Sequence, residues 1–430
     1  MKEVKILVFP CGSEIGLEIH NALKDIYFID LIGASSVADH GKFVFENYFE
    51  DIPMISDENF ISKFNELVEK EKVDFIFPAM DEVMNVLSAN RHLLSAKILA
   101  PIHETVETCC SKKNTYKVLE GDFFLPKTYT SCEKIEKYPV IIKPDRGYGS
   151  RGFMKIEDKE TLNYELTHRD YENVICEYLP GDEYTVDCFT DKNGELRYVS
   201  SRKRKRIRNG ISVNSCLEPQ SDMIEKIAYE INKKISMRGA WFFQVKEDSN
   251  GEYKLLEVAT RIAGTMCVQR ACGVNLPLLT VFDALGYEVE INRQFDYVEV
   301  DRALSNIYFS NQEFSEVYVD FDDTIIIKDK VNLTLIRFLY QCVNNNVPIY
   351  LITKHCKDIR TSLKKYKISE ELFDKIITVS KNENKCDLIN PHSKAILIDD
   401  SFAERKQMCK RHNIKVVGVD NIEMLMDYRK

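Results

Sequence analysis

The sequence predicts a multidomain chain of mixed α/β and α+β class, and three stretches of different pattern carry that prediction. The first hundred residues alternate short apolar strands with helices, which favours a parallel sheet covered by helices. In the middle of the chain, two apolar strands end in Lys143-Pro144 and in Glu177, with a glycine-rich loop between them. In the last third, hydrophobic strands end in acidic residues. We therefore expect three domains, at residues 1–105, 106–305 and 313–430.

Length and composition limit the classes of function. A chain of 430 residues that is 44% hydrophobic can bury several cores. Its formal net charge of -9 gives no general affinity for nucleic acid or for an anionic membrane. Its apolar runs are too short for a signal peptide or a membrane span. Because the thirteen cysteines include no CxxC pair, we expect reduced thiols and a cytoplasmic location.

In the first domain we expect short strands, each followed by a helix. The predicted strands are Val4–Phe9, Tyr27–Ile32, Val73–Pro78 and Lys97–Ala100, and helices are expected near Glu14, Asn59 and Glu82. Cys11-Gly12-Ser13 follows the first strand, with Gly16 in the next helix, and such a helix N-terminus can hold an anion. The GxGxxG spacing is incomplete, so a tight strand-to-helix turn is favoured over a nicotinamide site.

The second domain carries a set of residues suited to a nucleotide. Ser111 is a good N-cap for a helix from Lys112 to about Glu120. Lys143 ends a strand and precedes a loop with several glycines, where an ammonium group and a bare backbone can approach phosphate. Two strands joined by a turn at Ser249-Asn250-Gly251 carry the oxygen donors Gln244 and Glu257, which suit Mg2+.

In this order the residues resemble the ATP-grasp family, and the resemblance implies a role for each of them. Lys112 and Lys143 would bind the phosphates, with Lys113 the alternative to Lys112. The mobile loop would contain Gly149, Ser150 and Gly152. The adenine linker would begin at Glu177, and Glu183 would accept the ribose hydroxyls. Mg2+, or Mn2+ in its place, would be held by Gln244 and Glu257, and Arg261 would neutralise the transferred phosphoryl group.

The sequence departs from the family pattern at two positions. Ser111 stands where the family more often has Asp, and Ala259 stands where the usual third metal ligand is Asn. Either water or another side chain completes the metal shell, or the site binds nucleotide without turnover. Activity is favoured, because Glu257, Arg261 and both lysines are present and magnesium sites accept water ligands.

A run of basic residues, SRKRKRIRNG, lies between these motifs. On a regular strand Arg202, Arg204, Arg206 and Arg208 would share one face. A solvated strand and a nucleic-acid patch are the simpler interpretations, but neither explains its place inside this domain of an acidic protein. Our hypothesis is that one or two of these arginines, with Arg206 and Arg208 as the candidates, face the cleft and clamp an anionic acceptor, because guanidinium binds carboxylate or phosphate in a bidentate fork.

The third domain has a second and independent set of motifs. A strand ends in the DxDxT sequence that contains Asp320 and Asp322, and later strands end at Thr353 and at Asp399-Asp400. Lys385 lies between the last two. Strand ends of this kind form the active edge of an open parallel sheet.

These four elements resemble the haloacid dehalogenase superfamily, which implies a Rossmann-like phosphatase domain without a large cap. On that resemblance Asp320 is the nucleophile and Asp322 the general acid and base. Thr353 and Lys385 would bind the phosphoryl group, and Asp399, Asp400 and Asp320 would hold Mg2+.

Together the resemblances imply an ADP-forming ligase that joins a small carboxylate to an amine or a similar nucleophile through an acyl phosphate, fused to a phosphatase of the same pathway. One substrate would carry a phosphate. A single copy of the motif set disfavours carbamoyl-phosphate synthesis. Two alternatives remain: a nucleotide-sensing first half that regulates an active phosphatase, and a non-catalytic third domain. The sequence predicts neither the substrates nor the oligomeric state.

Overall fold

The computed structural model describes residues 3–147, 149, 151–308, 313–380, 382–390, 394–412 and 414–429. The chain divides into two compact units, Met1–Leu304 and Ser305–Lys430. Within the described ranges no helix is both long enough and apolar enough to cross a bilayer. The thirteen cysteines are unpaired, and the two exposed ones, Cys356 and Cys409, both belong to the second unit.

The first unit begins with a parallel sheet, as the alternating pattern predicts. Its strands, in the order β3-β2-β1-β4-β5, all run parallel. The second strand starts two residues later than expected, since Tyr27 is 83% exposed in the turn before it. The elements are β1 (Val4–Phe9), α1 (Glu14–Leu23), β2 (Ile29–Ala34), β3 (Asn47–Phe49), α2 (Phe60–Glu71), β4 (Phe75–Pro78), α3 (Asp81–Ala89) and β5 (Lys97–Ile98).

Two short helices lead into a small antiparallel sheet with the order β6-β9-β7-β8. Its central strands are the two that the sequence predicts to end at Lys143-Pro144 and at Glu177. The elements are α4 (His103–Cys110), α5 (Lys112–Val118), β6 (Thr128–Tyr129), β7 (Val140–Pro144), β8 (Met154–Ile156), α6 (Lys159–His168) and β9 (Asn173–Glu177).

A six-stranded antiparallel sheet, in the order β14-β13-β10-β11-β12-β15, completes the first unit. Helix α7 buries Ile224, Ile227 and Ile231 in the same apolar cluster as Trp241 of the sheet. The elements are β10 (Glu183–Thr190), β11 (Leu196–Arg208), β12 (Ile211–Leu217), α7 (Asp222–Lys234), β13 (Gly239–Glu247), β14 (Tyr253–Ala259), α8 (Cys267–Ala271), α9 (Leu276–Ala284) and β15 (Glu299–Asp301).

The register of this sheet sets polar side chains side by side across four strands. Glu257 lies opposite Gln244, Gln244 opposite Thr185, and Thr185 opposite Arg202. Because side chains alternate along a strand, Glu183 lies on the same face as Thr185, one step along β10. One face of the sheet is therefore polar and charged over two successive rows.

The second unit is an open parallel sheet in the order β20-β19-β16-β21-β22. Its central strand β16 lies between β19 and β21, so the chain reverses its direction of travel across the sheet at that strand. Between Asp320 and Thr353 the chain forms a small hairpin, β17–β18, and one helix. The elements are β16 (Glu316–Val319), β17 (Ile326–Ile327), β18 (Lys330–Val331), α10 (Leu333–Asn344), β19 (Ile349–Thr353), α11 (Ile359–Lys365), β20 (Lys375–Thr378), β21 (Ala395–Ile398), α12 (Phe402–His412) and β22 (Lys415–Val417).

Candidate functional site

A cavity of about 920 Å3 in the first unit gathers most of the residues that the sequence assigns to a nucleotide. It lies against the polar face of the six-stranded sheet and also takes residues from α1, α3 and the glycine-rich loop. The sequence-predicted residues in its wall are Lys112, Lys143, Gly149, Glu177, Glu183, Gln244, Glu257 and Arg261.

Two predicted loop residues stand apart from this set. Ser150 lies outside the described residues. Gly152 is absent from the described cavity wall, and it has a positive φ of 69°. A Cβ atom there would come within 2.7 Å of the Tyr171 hydroxyl and 2.8 Å of the Pro144 ring. A larger side chain at position 152 would therefore clash within the loop. Among the described residues, Gly152 does not line the cavity.

Both lysines are held at the cavity by neighbouring oxygen atoms. Lys143, at the end of β7, is 8% exposed, and its Nζ donates to the Tyr116 hydroxyl and to the Leu256 carbonyl, each at 3.1 Å. Lys112 Nζ donates to the Asp145 carbonyl at 3.2 Å. Burial lowers the pKa of Lys112; Glu257 opposes this shift and Lys143 adds to it. Lys113, the alternative, instead pairs with Glu172 at 2.9 Å.

The N-terminus of α5 explains why Ser111 can replace an aspartate. Its hydroxyl accepts from the Asn114 N–H at 3.1 Å, which confirms the predicted N-cap. The same hydroxyl donates to the Asp145 carboxylate at 2.8 Å, and that carboxylate also accepts from the Lys113 N–H at 2.7 Å. A carboxylate therefore interacts with the positive end of the dipole of this helix, but it belongs to Asp145 after β7 and not to residue 111.

Glu177 fixes the segment that joins the two sheets of the cavity. Its carboxylate accepts from the Lys127 N–H at 2.7 Å, and its own N–H donates to the Lys127 carbonyl at 2.9 Å. Tyr178 and Leu179 follow it in the cavity wall. The Glu177 side chain is thus bonded to the backbone, so the segment that follows it can face a ligand.

Glu183 and Gln244 are both held by Arg204, a residue without an assigned role in the sequence analysis. Arg204 Nη1 donates to the Glu183 carboxylate and, at 3.0 Å, to the Gln244 side-chain oxygen. Lys246 Nζ lies 3.8 Å from the same carboxylate. The polar sheet face therefore carries a compact cluster of opposite charges.

Arg261 ties the six-stranded sheet to the parallel sheet. Its guanidinium donates to both carboxylate oxygens of Asp81, at 2.8 and 2.7 Å, and lies over the Phe242 ring at 5.2 Å. Burial opposes a rise in the pKa of Arg261, but the Asp81 carboxylate raises it above the ordinary value. Asp81 opens α3, so the first domain contributes directly to the cavity.

The prediction that Arg206 and Arg208 share the cavity face with Arg202 and Arg204 is wrong. The wall, within the described part of the chain, includes Arg202 and Arg204 and neither of the other two. The register of β11 against β12 shifts at Arg204/Arg206 and again at Arg206/Ile207, so strict alternation ends there. Arg206 instead pairs with Asp301 at 2.7 Å, where both side chains are exposed.

The oxygen donors in the cavity fit a divalent cation with two protein ligands. Gln244 and Glu257 are directly opposed on neighbouring strands and both face the cavity. Ala259, which lies opposite Phe242, offers no ligand atom. Mg2+ commonly keeps several waters and phosphate oxygens, so two protein oxygens are a sufficient anchor.

A second polar cluster lies at the carboxyl ends of β16 and β21 in the second unit. Lys385 Nζ donates to the Asp320 carboxylate at 2.6 Å and to the Asp399 carboxylate at 2.7 Å, and all three side chains are buried. Oxygens of Asp320, Asp399 and Asp400 lie within 4.8 Å of one another, close enough to share one metal ion. The four predicted elements therefore meet at the switch point of this sheet.

Burial and mutual repulsion affect both buried carboxylates. Burial raises the pKa of Asp320 to about 6; Lys385 opposes the rise and Asp399 adds to it. Burial likewise raises the pKa of Asp399 against the effect of Lys385. Two carboxylates so close to one another favour a bound cation.

The remaining predicted residues surround this cluster, together with one that the sequence analysis missed. The Asp322 carboxylate accepts from His355 Nδ1 at 2.9 Å, and His355 Nε2 lies 2.8 Å from the Ser362 hydroxyl. Thr353 is fully buried and its hydroxyl accepts from the His355 N–H at 3.1 Å. The signal for His355 is its position two residues after a strand that ends at the same edge of the sheet.

Comparison with known proteins identifies the fold of the first unit. Residues 170–303 match the model of the family described as "ATP-grasp in the biosynthetic pathway with Ter operon". The chain is 26% identical over 205 residues to the carbamoyl phosphate synthase large chain of Clostridium beijerinckii, a match that covers 43% of this chain and 18% of that protein. The first unit has an ATP-grasp fold. The chain spans less than a fifth of that relative's length.

Solved structures agree with this fold at low sequence identity. The biotin carboxylase domain of Hydrogenobacter thermophilus 2-oxoglutarate carboxylase has a TM-score of 0.57 and 16% identity, covering 70% of this chain and 74% of that one. N5-carboxyaminoimidazole synthetase from Staphylococcus aureus has a TM-score of 0.54 and 16% identity, covering 66% and 78%. L-amino acid ligase from Bacillus licheniformis has a TM-score of 0.53 and 14% identity, covering 66% and 75%.

Proposed function

We propose that the first unit is an ADP-forming ligase that uses MgATP to activate a small carboxylate for attack by an amine. The observation that carries this proposal is the single cavity that brings together both lysines, the opposed pair Gln244 and Glu257, and Arg261. The structural neighbours include a synthetase complexed with ADP, a carboxylase domain with MgADP and bicarbonate, and an amino acid ligase, and these support the reaction class.

In this reaction the chain supplies position and charge, and no side-chain nucleophile is needed. Lys112 and Lys143 bind the phosphates, and Arg261 moves from Asp81 to the transferred phosphoryl group. Gln244 and Glu257 would hold Mg2+, which would supply positive charge to the nucleotide phosphates. The cavity is partly walled by the glycine-rich loop, which excludes water from the acyl phosphate when it closes.

The test is ADP release from MgATP by the Asp320→Asn protein, with and without pooled organic acids, amino acids, amines and phosphorylated sugars. The substitution prevents the second unit from consuming phosphate compounds. We expect ADP release that depends on the acceptors and is lost in Lys143→Met. Acceptor-independent release, or release that persists in Lys143→Met, would contradict the ligase.

We further propose that the second unit is a magnesium-dependent phosphatase of the haloacid dehalogenase type that acts on a substrate or product of the ligase. The contact of Lys385 with both Asp320 and Asp399 supports this proposal. Asp320 attacks the phosphoryl group, Asp322 protonates the leaving oxygen and then activates water, and Lys385 neutralises the added charge.

The phosphatase is tested by phosphate release from a panel of phosphomonoesters that includes the ligase product. We expect release that requires Mg2+, stops with chelator and is absent in Asp320→Asn. Mn2+ should replace Mg2+ with a different rate. Equal release by the wild type and by Asp320→Asn would reject the role of Asp320.

A second candidate function is a nucleotide sensor that regulates the phosphatase. The observations that support this second candidate are the absence of an oxygen ligand at Ala259 and the contact of Arg204 with Gln244. In that case ATP binds with Lys143 required, no ADP forms with any acceptor pool, and the phosphatase rate changes with ATP. The same acceptor experiment therefore separates the two functions.

A further inference from the structure

Arg204 is a buried cation in the cavity wall, and its contacts point to a ligand. Its side chain is 7% exposed. Nη1 contacts Glu183 and Gln244, and Nη2 donates to the Gly210 carbonyl at 2.8 Å. The remaining donor, Nε, is buried without any hydrogen-bond partner among the described residues. A buried unsatisfied N–H is costly, and here it belongs to a residue in the cavity wall.

The two side chains that share Nη1 indicate where a nucleotide would meet Arg204. Under the proposed function Glu183 accepts the ribose hydroxyls and Gln244 holds the magnesium ion of the terminal phosphates. In a nucleoside triphosphate the α-phosphate lies between the ribose and that ion. A guanidinium in contact with both side chains is therefore placed beside the α-phosphate.

We propose that Arg204 is a phosphate-binding residue of this site and that it releases Glu183 and Gln244 when the nucleotide binds. Its Nε then donates to a phosphate oxygen. The freed carboxylate of Glu183 accepts the ribose, and the freed oxygen of Gln244 becomes available to the metal. This inference rests on the proposed nucleotide site.

The neighbouring hairpin links this exchange to the glycine-rich loop. Asn209 and Gly210 form the two-residue turn between β11 and β12, with φ of 51° and 76°, and both line the cavity. A Cβ atom on Gly149 would lie 3.9 Å from the Asn209 carbonyl. Arg204 donates to the Gly210 carbonyl. Movement of the Arg204 side chain would therefore also affect the Asn209-Gly210 turn, which lies beside the glycine-rich loop.

The test is the affinity of ADP for the full chain, measured by calorimetry in EDTA and again in saturating Mg2+. Arg204→Met should weaken ADP binding about tenfold or more in EDTA, the size of one lost charge-assisted contact. In Mg2+ the loss should be at most about threefold, because the metal neutralises part of the total charge of the ADP phosphates. Arg204→Lys should recover part of the affinity in EDTA, because it restores the charge.

Arg206→Met is the matched control, since it removes an arginine of the same strand whose side chain is exposed and paired with Asp301. It should leave both affinities within about twofold. Equal losses for Arg204→Met in EDTA and in Mg2+ would indicate a structural role and overturn the proposal, as would no loss. ADP binding by the wild type that is lost in Lys143→Met but unchanged in Arg204→Met would overturn this inference alone. Absence of ADP binding by the wild type would overturn the proposed function as well.

Discussion

Lys385 shows how a single buried cation can hold a site together. It donates to two buried carboxylates, and among the described residues it is the cation that pairs with both. Removal of one member of a buried charged cluster leaves the others uncompensated, which is far more costly than loss of a surface pair. The residue proposed to bind phosphate is thus also a stabilising residue of the fold.

We predict that Lys385→Met destabilises the second unit by about 3 kcal/mol or more at neutral pH without metal. Mg2+ should restore part of this loss, because the ion replaces the missing positive charge between Asp320 and Asp399. Hydrogen exchange of the β16 and β21 amides measures both effects. Lys394→Met, which breaks an exposed pair with Glu313, should change the same amides by less than about 0.5 kcal/mol.

His20 gives the first unit a pH dependence of its own. It is 7% exposed, with its ring centroid 4.6 Å from that of Phe45. Burial lowers its pKa from 6.5 to about 4, so between these values the unfolded chain binds a proton more tightly than the folded one. The contribution of His20 to the free energy of unfolding is therefore fully present above pH 6.5 and is lost as the pH falls toward 4.

We predict that His20→Phe reduces the loss of unfolding free energy between pH 6.5 and 4.5 by about 2 kcal/mol. This value allows for the residual exposure of the ring to solvent. Urea unfolding followed by the fluorescence of Trp241, the single tryptophan of the chain, measures it. His92→Asn, a change at an exposed histidine, should leave the pH profile unchanged. Parallel profiles for wild type and His20→Phe would refute the assignment.

Residue types and spacing predict which side chains reach the sites, but they do not predict their resting partners. The sequence identifies Lys143, Glu257 and Asp320 because each ends or lies in a strand beside a motif. It names Arg204 only as a member of the basic run, and it does not indicate Asp81 or His355. Their importance comes from contacts across β10, between Arg261 and the start of α3, and along the edge of the parallel sheet of the second unit.

At the scale of elements, hydrogen bonds join the start of α5 to the end of β7. Ser111 caps the helix and Asp145 supplies its negative charge. In a chain with Asp at position 111, a second carboxylate would lie against Asp145. The departure from the family pattern at one position is therefore linked to the residue at another.

We predict that Ser111→Asp destabilises the first unit by about 1–2 kcal/mol and that Asp145→Ser costs a similar amount. The double variant, which exchanges the two side chains, should be more stable than the sum of the single losses, because one carboxylate and one hydroxyl again face each other. Urea unfolding by Trp241 fluorescence gives the coupling energy. Strict additivity would exclude the link.

Elements are more predictable than their irregularities. The alternating pattern correctly predicts the parallel sheet, and the apolar runs predict β7, β9, β13 and β14. The register shifts in β11 are not predictable, because they depend on how β12 pairs with it and not on its own sequence. That local irregularity separates Arg206 from the cavity face that carries Arg204.

At the scale of the whole molecule, the chain has separate hydrophobic cores. Each core cluster of the described residues draws its members from one unit alone, from Met1–Leu304 or from Ser305–Lys430. A unit with its own core can fold without its neighbour.

We predict that residues 1–304 and residues 313–430 fold when they are expressed separately. Nucleotide binding should remain with the first fragment and phosphate release with the second, each within about threefold of the full chain. Calorimetric unfolding and the two activity assays measure this. A fragment that unfolds alone, or an activity that returns only on mixing, would show that the units depend on each other.

The distribution of thiols gives this two-unit chain a chemical asymmetry. Cys356 and Cys409 are its exposed cysteines, and Cys356 directly follows His355, the partner of Asp322. A bulky maleimide should therefore attach to the second unit first and crowd the edge of its parallel sheet. Such a reagent would silence phosphate release while nucleotide binding continues, and Cys356→Ser should protect against it. Nucleotide binding by the full chain could then be assayed with the second unit inactivated.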